Sequence, residues 1–198
     1  MIGIADYGTS NLGSLTNALV SQGIDYLVSG DPSELRRCDR LVLPGVGAFG
    51  HAMERLREQQ LDTFLIGWAA SSRPIFGICL GMQLLMDNST ELGHFAGLGI
   101  VPGDVVPIRG GRRKVHTGWN HVKPAPRKSF LTTSGHVYFV HSYQCQPAEP
   151  GTVAGFCSYG GTVVAALQQN NIWGVQFHPE KSGEFGLSIL KSFAHAPF

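Results

Sequence analysis

The first half of the chain alternates short apolar runs with segments whose apolar residues repeat at helical spacing, and this alternation restricts the fold more than any other feature. Four apolar runs are predicted strands, at residues 2–5, 24–28, 40–43 and 74–78. Helical segments lie between them, and the first is predicted to be capped by Ser10 or Asn11. Strands separated by helices of this length build parallel sheets that are covered on both faces. We therefore predict an α/β fold, a three-layer sandwich around a central, mostly parallel sheet.

The second half of the chain, from Gly99 onward, has a different pattern of shorter strand-like runs. These runs lie at residues 105–109, 114–116, 137–140, 152–157, 163–167 and 172–176. They predict a small antiparallel extension of the sheet, and apolar residues between 185 and 193 predict a closing helix. A chain of 198 residues, 43% of them hydrophobic, can bury one sizeable core. We therefore predict a single domain spanning residues 1–198.

The charge and cysteine content exclude several classes of protein. Lys and Arg number 15 against 14 Asp and Glu. This near-balance gives no electrostatic field strong enough to favour nucleic acid or an anionic membrane as the main partner. No apolar run approaches the ~20 residues that a membrane span needs. Because MIGIADYG is predicted to begin a strand at once, we expect no secretory leader. The four cysteines form no CxxC pair and no zinc-like cluster with histidine, which is typical of reduced thiols in a cytoplasmic protein without a metal site.

The one basic cluster of the sequence is RGGRRK, at residues 109–114. Its two adjacent glycines are typical of a turn, so we interpret it as a solvated hairpin tip. A contact with phosphate or with a partner protein is the alternative interpretation.

The stretch GICLG, at residues 77–81, places Cys79 between two glycines where a predicted strand becomes a helix. This is the pattern of a nucleophile elbow, a tight turn that lifts a reactive side chain into the open. The N-terminus of the following helix would stabilise a thiolate, and the N–H of Leu80 could bind an oxyanion. The alternative is a buried, inert thiol, and this interpretation fits Cys38, Cys145 and Cys157 better because none of them lies at an elbow.

A nucleophilic cysteine needs a base, and His178 in GVQFHPEKS is the candidate. It follows the last predicted strand, and Glu180 could accept a hydrogen bond from its second ring nitrogen. The alternative is a simple His-Pro turn with a surface glutamate. The stretch LPGVGAF ends the third strand, where Val46 or Gly47 could supply a second oxyanion donor, although an ordinary strand-to-helix turn also favours glycine.

Four motifs together, LPGVGAF, GICLGMQLL, VHSY and GVQFHPEKS, resemble those of the class I glutamine amidotransferases in their order and separation. DYGTSN near the start and GWN in the middle are similar to the branch of that family that serves histidine biosynthesis. The sequence departs from the commonest pattern at KVHTGWN, where many relatives carry a proline before the histidine and an apolar residue in place of Thr117. The resemblance covers essentially the whole chain.

The resemblance implies a catalytic triad of Cys79, His178 and Glu180. It also implies the residues of the oxyanion and substrate sites, which are Val46, Gly47, Leu80, Gln83, Glu91, His141, Ser142 and Tyr143. Four further residues match positions where relatives meet a partner subunit, namely Asn11, Trp119, Tyr138 and Lys181.

The implied activity is hydrolysis of glutamine to glutamate and ammonia through a cysteine thioester, without a metal or an organic cofactor. In the resembling branch a (β/α)8-barrel cyclase subunit completes a heterodimer. This cyclase receives the ammonia through a channel and forms imidazole glycerol phosphate and an aminoimidazole carboxamide ribonucleotide. Three alternatives remain open at this stage: a glutaminase that serves another synthase, a stand-alone thiol hydrolase, and a catalytically silent subunit that keeps the fold.

Overall fold

The computed structural model of the protein describes residues 1–9, 12–109, 115–126 and 129–198. The predicted helix cap at Ser10 or Asn11, the predicted interface residue Asn11 and most of the predicted hairpin tip, residues 110–114, lie outside the described residues.

Six α-helices and thirteen strands are described. The helices are α1 Leu12–Ser21, α2 Pro32–Leu35, α3 Phe49–Glu58, α4 Leu61–Ala70, α5 Leu80–Leu84 and α6 Gly183–His195. The first seven strands are β1 Ile2–Ala5, β2 Tyr26–Ser29, β3 Arg40–Leu43, β4 Ile75–Ile78, β5 Asn88–Ser89, β6 Phe95–Ala96 and β7 Gly103–Pro107. The others are β8 His116–Pro124, β9 Gly135–His141, β10 Tyr143–Pro147, β11 Val153–Ser158, β12 Thr162–Gln169 and β13 Ile172–Val175. Two 3-10 turns, Pro150–Thr152 and Pro179–Lys181, complete the order.

Nine strands form the central sheet, in the order β2-β1-β3-β4-β13-β12-β11-β8-β9. The neighbours from β2 to β13 are parallel, and those from β13 to β9 are antiparallel. In the parallel half, Ile78 at the end of β4 lies opposite Val175 at the end of β13. The residues that follow these two strands therefore leave the sheet at the same edge, where ligands bind in open α/β sheets.

Helices cover both faces of the central sheet and bury a separate apolar core on each. One core takes Phe49, Met53 and Leu56 of α3 with Trp68 of α4. The other takes Leu15 and Leu19 of α1 with Ile189, Leu190 and Phe193 of α6. This arrangement confirms the predicted three-layer sandwich. Within the described residues, no helix combines the length and the apolar character that crossing a membrane requires.

A second sheet of four short strands, in the order β10-β7-β5-β6, lies beside the central one, and the sequence predicted it only in part. The prediction included β7 but missed β10, and it also missed β5 and β6, which are too short to show a period. The predicted run at 114–116 was wrong in extent, since β8 continues to Pro124. The rest of β8 was not predicted because one face of HTGWNHVKP is largely open to solvent, so few of its residues are apolar.

The helix α5 packs directly onto the strands beside it, because its elbow glycines have no side chains. A Cβ atom on Gly81 would lie 1.7 Å from the carbonyl oxygen of Leu43, and one on Gly77 would lie 2.7 Å from Cα of Met82. Both obstacles are backbone atoms, which cannot move aside as a side chain could. The two glycines therefore allow the close approach of α5 that sets the direction of the Cys79 side chain.

Replacement of Gly81 tests this close packing. Gly81→Ala should lower the free energy of unfolding by roughly 1–3 kcal/mol, as overpacking does, even though alanine is the better helix former. Gly67→Ala is the matched control, because Gly67 is also helical but has no atom within 4 Å of the point where a Cβ would lie. It should raise the free energy of unfolding by about 0.5–1 kcal/mol. Chemical denaturation measures both, and equal effects of the same sign would contradict the packing argument.

Candidate active site

Cys79 has a backbone conformation that few residues other than glycine adopt, with φ 55° and ψ −111°. Its N–H donates to the carbonyl oxygen of Val175, so the turn is tied to the end of β13. The residue is 6% exposed and immediately precedes α5. Strain of this kind in a non-glycine residue is characteristic of functional turns, and the geometry agrees with the predicted nucleophile elbow.

The other three cysteines lie in settings that make them inert. Cys38, Cys145 and Cys157 are buried, and burial raises the pKa of each thiol, that of Cys157 to about 12. The Sγ of Cys145 donates to the carbonyl oxygen of Met82 at 3.8 Å. Neutral thiols are poor nucleophiles.

His178 and Glu180 form a buried pair just beyond β13. The Nδ1 of His178 lies 2.7 Å from Oε1 of Glu180, and their side chains are 5% and 6% exposed. Burial alone would lower the pKa of His178, but the neighbouring Cys79 and Glu180 raise it to about 10. Nε2 has no partner at ordinary hydrogen-bond geometry in the described part of the chain. Such loose contacts are common in unliganded sites.

The raised pKa of His178 also affects stability. An unfolded histidine has a pKa near 6.5, and the folded value of about 10 lies above it. The stability that the protonated ring contributes is therefore fully present below about pH 6.5 and is lost as the pH rises through about 10.

The backbone of His178 is fixed by Tyr138 and Ser182. The N–H of His178 donates to the carbonyl oxygen of Tyr138 at 3.0 Å. The hydroxyl of Ser182 donates to the carbonyl oxygen of His178 at 2.6 Å and accepts from the N–H of Tyr138 at 3.0 Å. This role of Ser182 was not predicted, although the residue ends the HPEKS motif.

A pocket of about 270 Å3 opens above Cys79 and is called here the Cys79 pocket. Ten of its lining residues were predicted as site residues: Val46, Gly47, Cys79, Leu80, Gln83, Glu91, His141, Ser142, Tyr143 and His178. The other two are Val115 and Val140. Glu180 lies outside this wall, behind His178. Every predicted oxyanion and substrate residue therefore borders the pocket that contains the predicted nucleophile and base.

The predicted oxyanion donors, Leu80 and either Val46 or Gly47, differ in their present bonding. Leu80 is the first residue of α5, so its N–H has no acceptor within the helix. The N–H of Val46 instead donates to the carbonyl oxygen of Thr9 at 2.9 Å. Gly47 has φ +101° and no atom within 4 Å of a Cβ position, so the backbone at this turn has space around it. The structure thus offers the Leu80 donor directly, and the Val46 donor would require rotation of its peptide.

Two buried glutamines connect the far wall of the pocket to the cysteine. The Nε2 of Gln83 donates to the carbonyl oxygen of Tyr143 at 3.0 Å and to Oε1 of Gln176 at 2.9 Å. The Nε2 of Gln176 in turn contacts Sγ of Cys79 at 3.8 Å. Gln176 was not predicted as a site residue. The available signal was a fully polar residue at the end of an apolar strand, directly before FHPE.

Glu91 has a structural contact as well as a position on the pocket wall. Its Oε2 accepts from the N–H of Phe49 at 2.7 Å, at the N-terminus of α3. This helix has no side-chain cap from its own cap residue Ala48, so Glu91 supplies an acceptor from outside. A carboxylate at this helix end is favoured by the free N–H groups there.

Three of the predicted interface residues, Trp119, Tyr138 and Lys181, lie on strands and turns around the site. Trp119 on β8 is 59% exposed and makes an edge contact with Tyr138 on β9, with ring centroids 6.2 Å apart. Lys181 lies in the turn that follows His178. Three apolar residues of the pocket wall, Val46, Val115 and Val140, are themselves exposed.

Among the described residues, no cluster of His, Cys, Asp and Glu able to hold a metal occurs.

Comparisons with known proteins agree with this geometry. The family Glutamine amidotransferase class-I matches residues 4–196. The chain is 45% identical over 203 residues to imidazole glycerol phosphate synthase subunit HisH of Geobacillus sp. strain WCH70, covering 98% of this chain and 96% of the relative. It is 42% identical over 201 residues to the subunit of the same name in Bacillus subtilis strain 168, covering 98% and 95%.

A solved structure of PurLQS from Thermotoga maritima has a TM-score of 0.78 to this chain, at 18% identity, and covers 97% of this chain and 96% of that one. At this identity the likeness concerns the fold. It agrees with the three-layer arrangement around the large sheet.

The charge state of His178 can be measured directly. We expect the ring to remain protonated from about pH 6 to about pH 8, because Cys79 and Glu180 raise its pKa. Glu180→Gln should lower this pKa, since it removes a negative neighbour. Nitrogen-15 NMR of the histidine rings gives both values. A wild-type His178 that titrates near the ordinary histidine value would contradict the described pair.

Proposed function

This chain belongs to the class I glutamine amidotransferase family, and we propose that it is the glutaminase subunit of imidazole glycerol phosphate synthase. The proposal extends to the chain what the names of its relatives state, at 42–45% identity over nearly their full length. The observation that carries it is the Cys79 pocket, which combines a strained cysteine, a histidine with a raised pKa and a helix N–H that has no acceptor within its helix. That set of groups suits acyl transfer from an amide.

The proposed reaction begins with attack of the Cys79 sulfur on the side-chain amide carbon of glutamine. The new S–C bond places negative charge on the carbonyl oxygen, and the N–H of Leu80 lies at the helix end where it can stabilise that charge. His178 transfers a proton from its ring to the amide nitrogen, and the C–N bond breaks to release ammonia. A γ-glutamyl thioester remains on Cys79.

Hydrolysis of the thioester completes the proposed cycle. Water adds to the thioester carbon while His178 takes its proton, and the S–C bond then breaks to give glutamate and the free thiolate. Glu180 holds Nδ1 of His178 and stabilises the imidazolium, but it transfers no proton itself. Every group that this cycle requires belongs to the chain.

A second cavity suggests where the released ammonia goes. It has a volume of about 150 Å3 and shares Val46, Val140 and His178 with the Cys79 pocket. It extends beyond them to Leu15 of α1 and to Lys181, one of the predicted interface residues. We propose that ammonia passes through this cavity to a (β/α)8-barrel cyclase subunit that docks on this face as a heterodimer. The expected cytoplasmic location stays a prediction.

The first test of the mechanism removes the nucleophile. Cys79→Ala should abolish glutamine-dependent activity of the assembled synthase, because no other group in the pocket can form the thioester. The cyclase should still use added ammonia. Cys157→Ala is the matched control, because it also removes a buried thiol but lies outside the pocket, and it should retain glutamine-dependent activity. Near wild-type glutamate release from Cys79→Ala would refute the covalent mechanism.

The second test concerns the state of the oxyanion site. Because the N–H of Val46 is bonded to Thr9, we expect the isolated chain to be slow and the complex with cyclase and its ribonucleotide substrate to be faster. One missing oxyanion donor typically costs about 10²- to 10³-fold in rate, so rotation of this peptide suffices for such a difference. Glutamate release from the chain alone, with the cyclase, and with both cyclase and ribonucleotide measures it.

The outcome of this second test also separates the alternatives. Equal glutamate release in all three conditions would favour a stand-alone hydrolase. Stimulation by a different synthase subunit, and not by the cyclase, would instead indicate a glutaminase that supplies ammonia to another synthase. Absence of any glutamine hydrolysis would favour a silent subunit.

A further inference from the structure

A pair of buried histidines, His116 on β8 and His141 on β9, includes one residue of the pocket wall, His141, and takes no part in the proton and acyl transfers above. The two residues are directly opposite each other in the β8–β9 ladder. Nδ1 of His116 lies 2.9 Å from Nε2 of His141. Both rings are almost fully buried, and the backbone of His141 belongs to the predicted substrate segment.

The hydrogen-bond partners of the pair determine which ring nitrogens carry protons. Nδ1 of His141 lies 2.8 Å from the carbonyl oxygen of Tyr143, which can only accept, so Nδ1 of His141 carries a proton. In a neutral ring Nε2 of His141 is then an acceptor, so it accepts a hydrogen bond from the N–H at Nδ1 of His116. Nε2 of His116 is in turn an acceptor, and Nδ2 of Asn120 lies 3.1 Å from it.

The amide of Asn120 confirms this direction independently. Its Nδ2 also donates to the carbonyl oxygen of Ser158 at 2.9 Å, and its Oδ1 accepts from the N–H of His121 at 2.8 Å. These two contacts fix which amide atom is nitrogen. Every donor of the network therefore points the same way, from Asn120 through His116 and His141 to the carbonyl oxygen of Tyr143.

The surroundings of the pair keep both rings neutral and in place. Burial lowers the pKa of each to about 4. The ring of His116 is stacked between Phe139 and Tyr159, at centroid distances of 4.4 and 4.2 Å. A stacked, neutral imidazole with both nitrogens bonded has a single orientation.

The network ends on the segment where the chain leaves the central sheet. β9 ends at His141 and β10, in the smaller sheet, begins at Tyr143, so these residues form a corner. The carbonyl oxygen of Tyr143 accepts from both His141 and Gln83. The carbonyl oxygen of Ser142 accepts a hydrogen bond from the N–H of Ile108. The shape of this wall of the pocket therefore depends on the hydrogen bond from His141.

We propose that His116 and Asn120 are positioning residues, which orient His141 so that the 141–143 corner holds glutamine for attack by Cys79. The inference rests on the proposed glutaminase function, which supplies the substrate. Neither residue lines the pocket, so both act through His141. The network also begins beside the exposed Trp119 and thus connects the proposed docking face to the substrate wall.

The tautomers of the two rings can be measured in the wild-type protein, and this tests the network. Long-range nitrogen-15 to proton NMR should show both His116 and His141 as neutral rings with the proton on Nδ1 at about pH 7. Isolated imidazoles favour the proton on Nε2, so this pair of tautomers would not arise from burial alone. A proton on Nε2 of either ring would overturn the proposal.

Kinetics of the assembled synthase provide the functional test. His116→Phe keeps the stacking surface but removes both hydrogen bonds, and it should raise the KM for glutamine on the order of 10-fold, since it leaves buried polar partners unsatisfied. The kcat at saturating glutamine should change much less. His116→Gln can both donate and accept, so it should restore a large part of the lost affinity. Alkylation of Cys79 by iodoacetamide should proceed at the wild-type rate in both variants.

The control is a second histidine pair on the same two strands. His121 lies opposite His136, with ring centroids 4.9 Å apart, and neither borders the Cys79 pocket. His121→Phe should leave the KM unchanged. If His116→Phe does not fold, Asn120→Leu removes the first donor of the network and should raise the KM in the same direction.

The outcomes separate the inference from the proposed function. Failure of the wild-type complex to release glutamate would refute the glutaminase function. Wild-type release with an unchanged KM in both His116→Phe and Asn120→Leu would refute the positioning role alone. A loss in kcat with no change in KM, which His116→Gln does not relieve, would refute it too and would indicate a purely structural residue.

Discussion

The whole site depends on one close contact, the packing of α5 against the ends of β3 and β4. Gly81 rests on the carbonyl oxygen of Leu43, at a distance that leaves no space for a side chain. This contact requires the chain to turn sharply at Cys79. The turn places Cys79 in a strained backbone conformation that L-residues rarely adopt. The strain is tolerated because the surrounding sheet is already fixed by strands with parallel partners on both sides. A rigid sheet therefore positions the sulfur, the first N–H of α5 and the end of β13 within one pocket.

The same pocket shifts the pKa values of its two histidines in opposite directions through differences in their neighbours. His178 and His141 are both buried, and burial lowers the pKa of each. His178 has a carboxylate and a cysteine beside it, and these raise its pKa to about 10. At His141 burial outweighs the hydrogen bond to the carbonyl oxygen of Tyr143, which acts in the opposite direction, and its pKa falls to about 4. The proton that the proposed reaction needs is thereby held on one ring, while the other stays a fixed hydrogen-bonding element.

The sequence predicted those parts of the site that lie within single motifs at the ends of strands. Cys79, His178 and Glu180 were recognisable because a strand end, a glycine or a proline marks each position. Gln176, Ser182 and the pairing of His116 with His141 were not predicted. Their contacts join residues 93, 44 and 25 positions apart in sequence, so they depend on strand order and register that the sequence does not display. The corner at residues 141–143 was likewise assigned only by resemblance, since β10 itself had not been predicted.

The division of the pocket between two sheets explains how a docking partner could control it. Cys79 and His178 follow strands of the central sheet's parallel half, whereas Tyr143 begins a strand of the smaller sheet and Trp119 lies on β8 near the far edge. A partner that contacts the β8–β9 face and the turn at Val46 would touch the substrate wall and the oxyanion peptide without touching the nucleophile. Such contacts can shift the population of active sites only if they differ between the two orientations of the Val46 peptide. The N–H of Val46 is bonded to Thr9 in the described state, so under the proposed mechanism a partner would activate the enzyme by favouring the state in which that bond is broken.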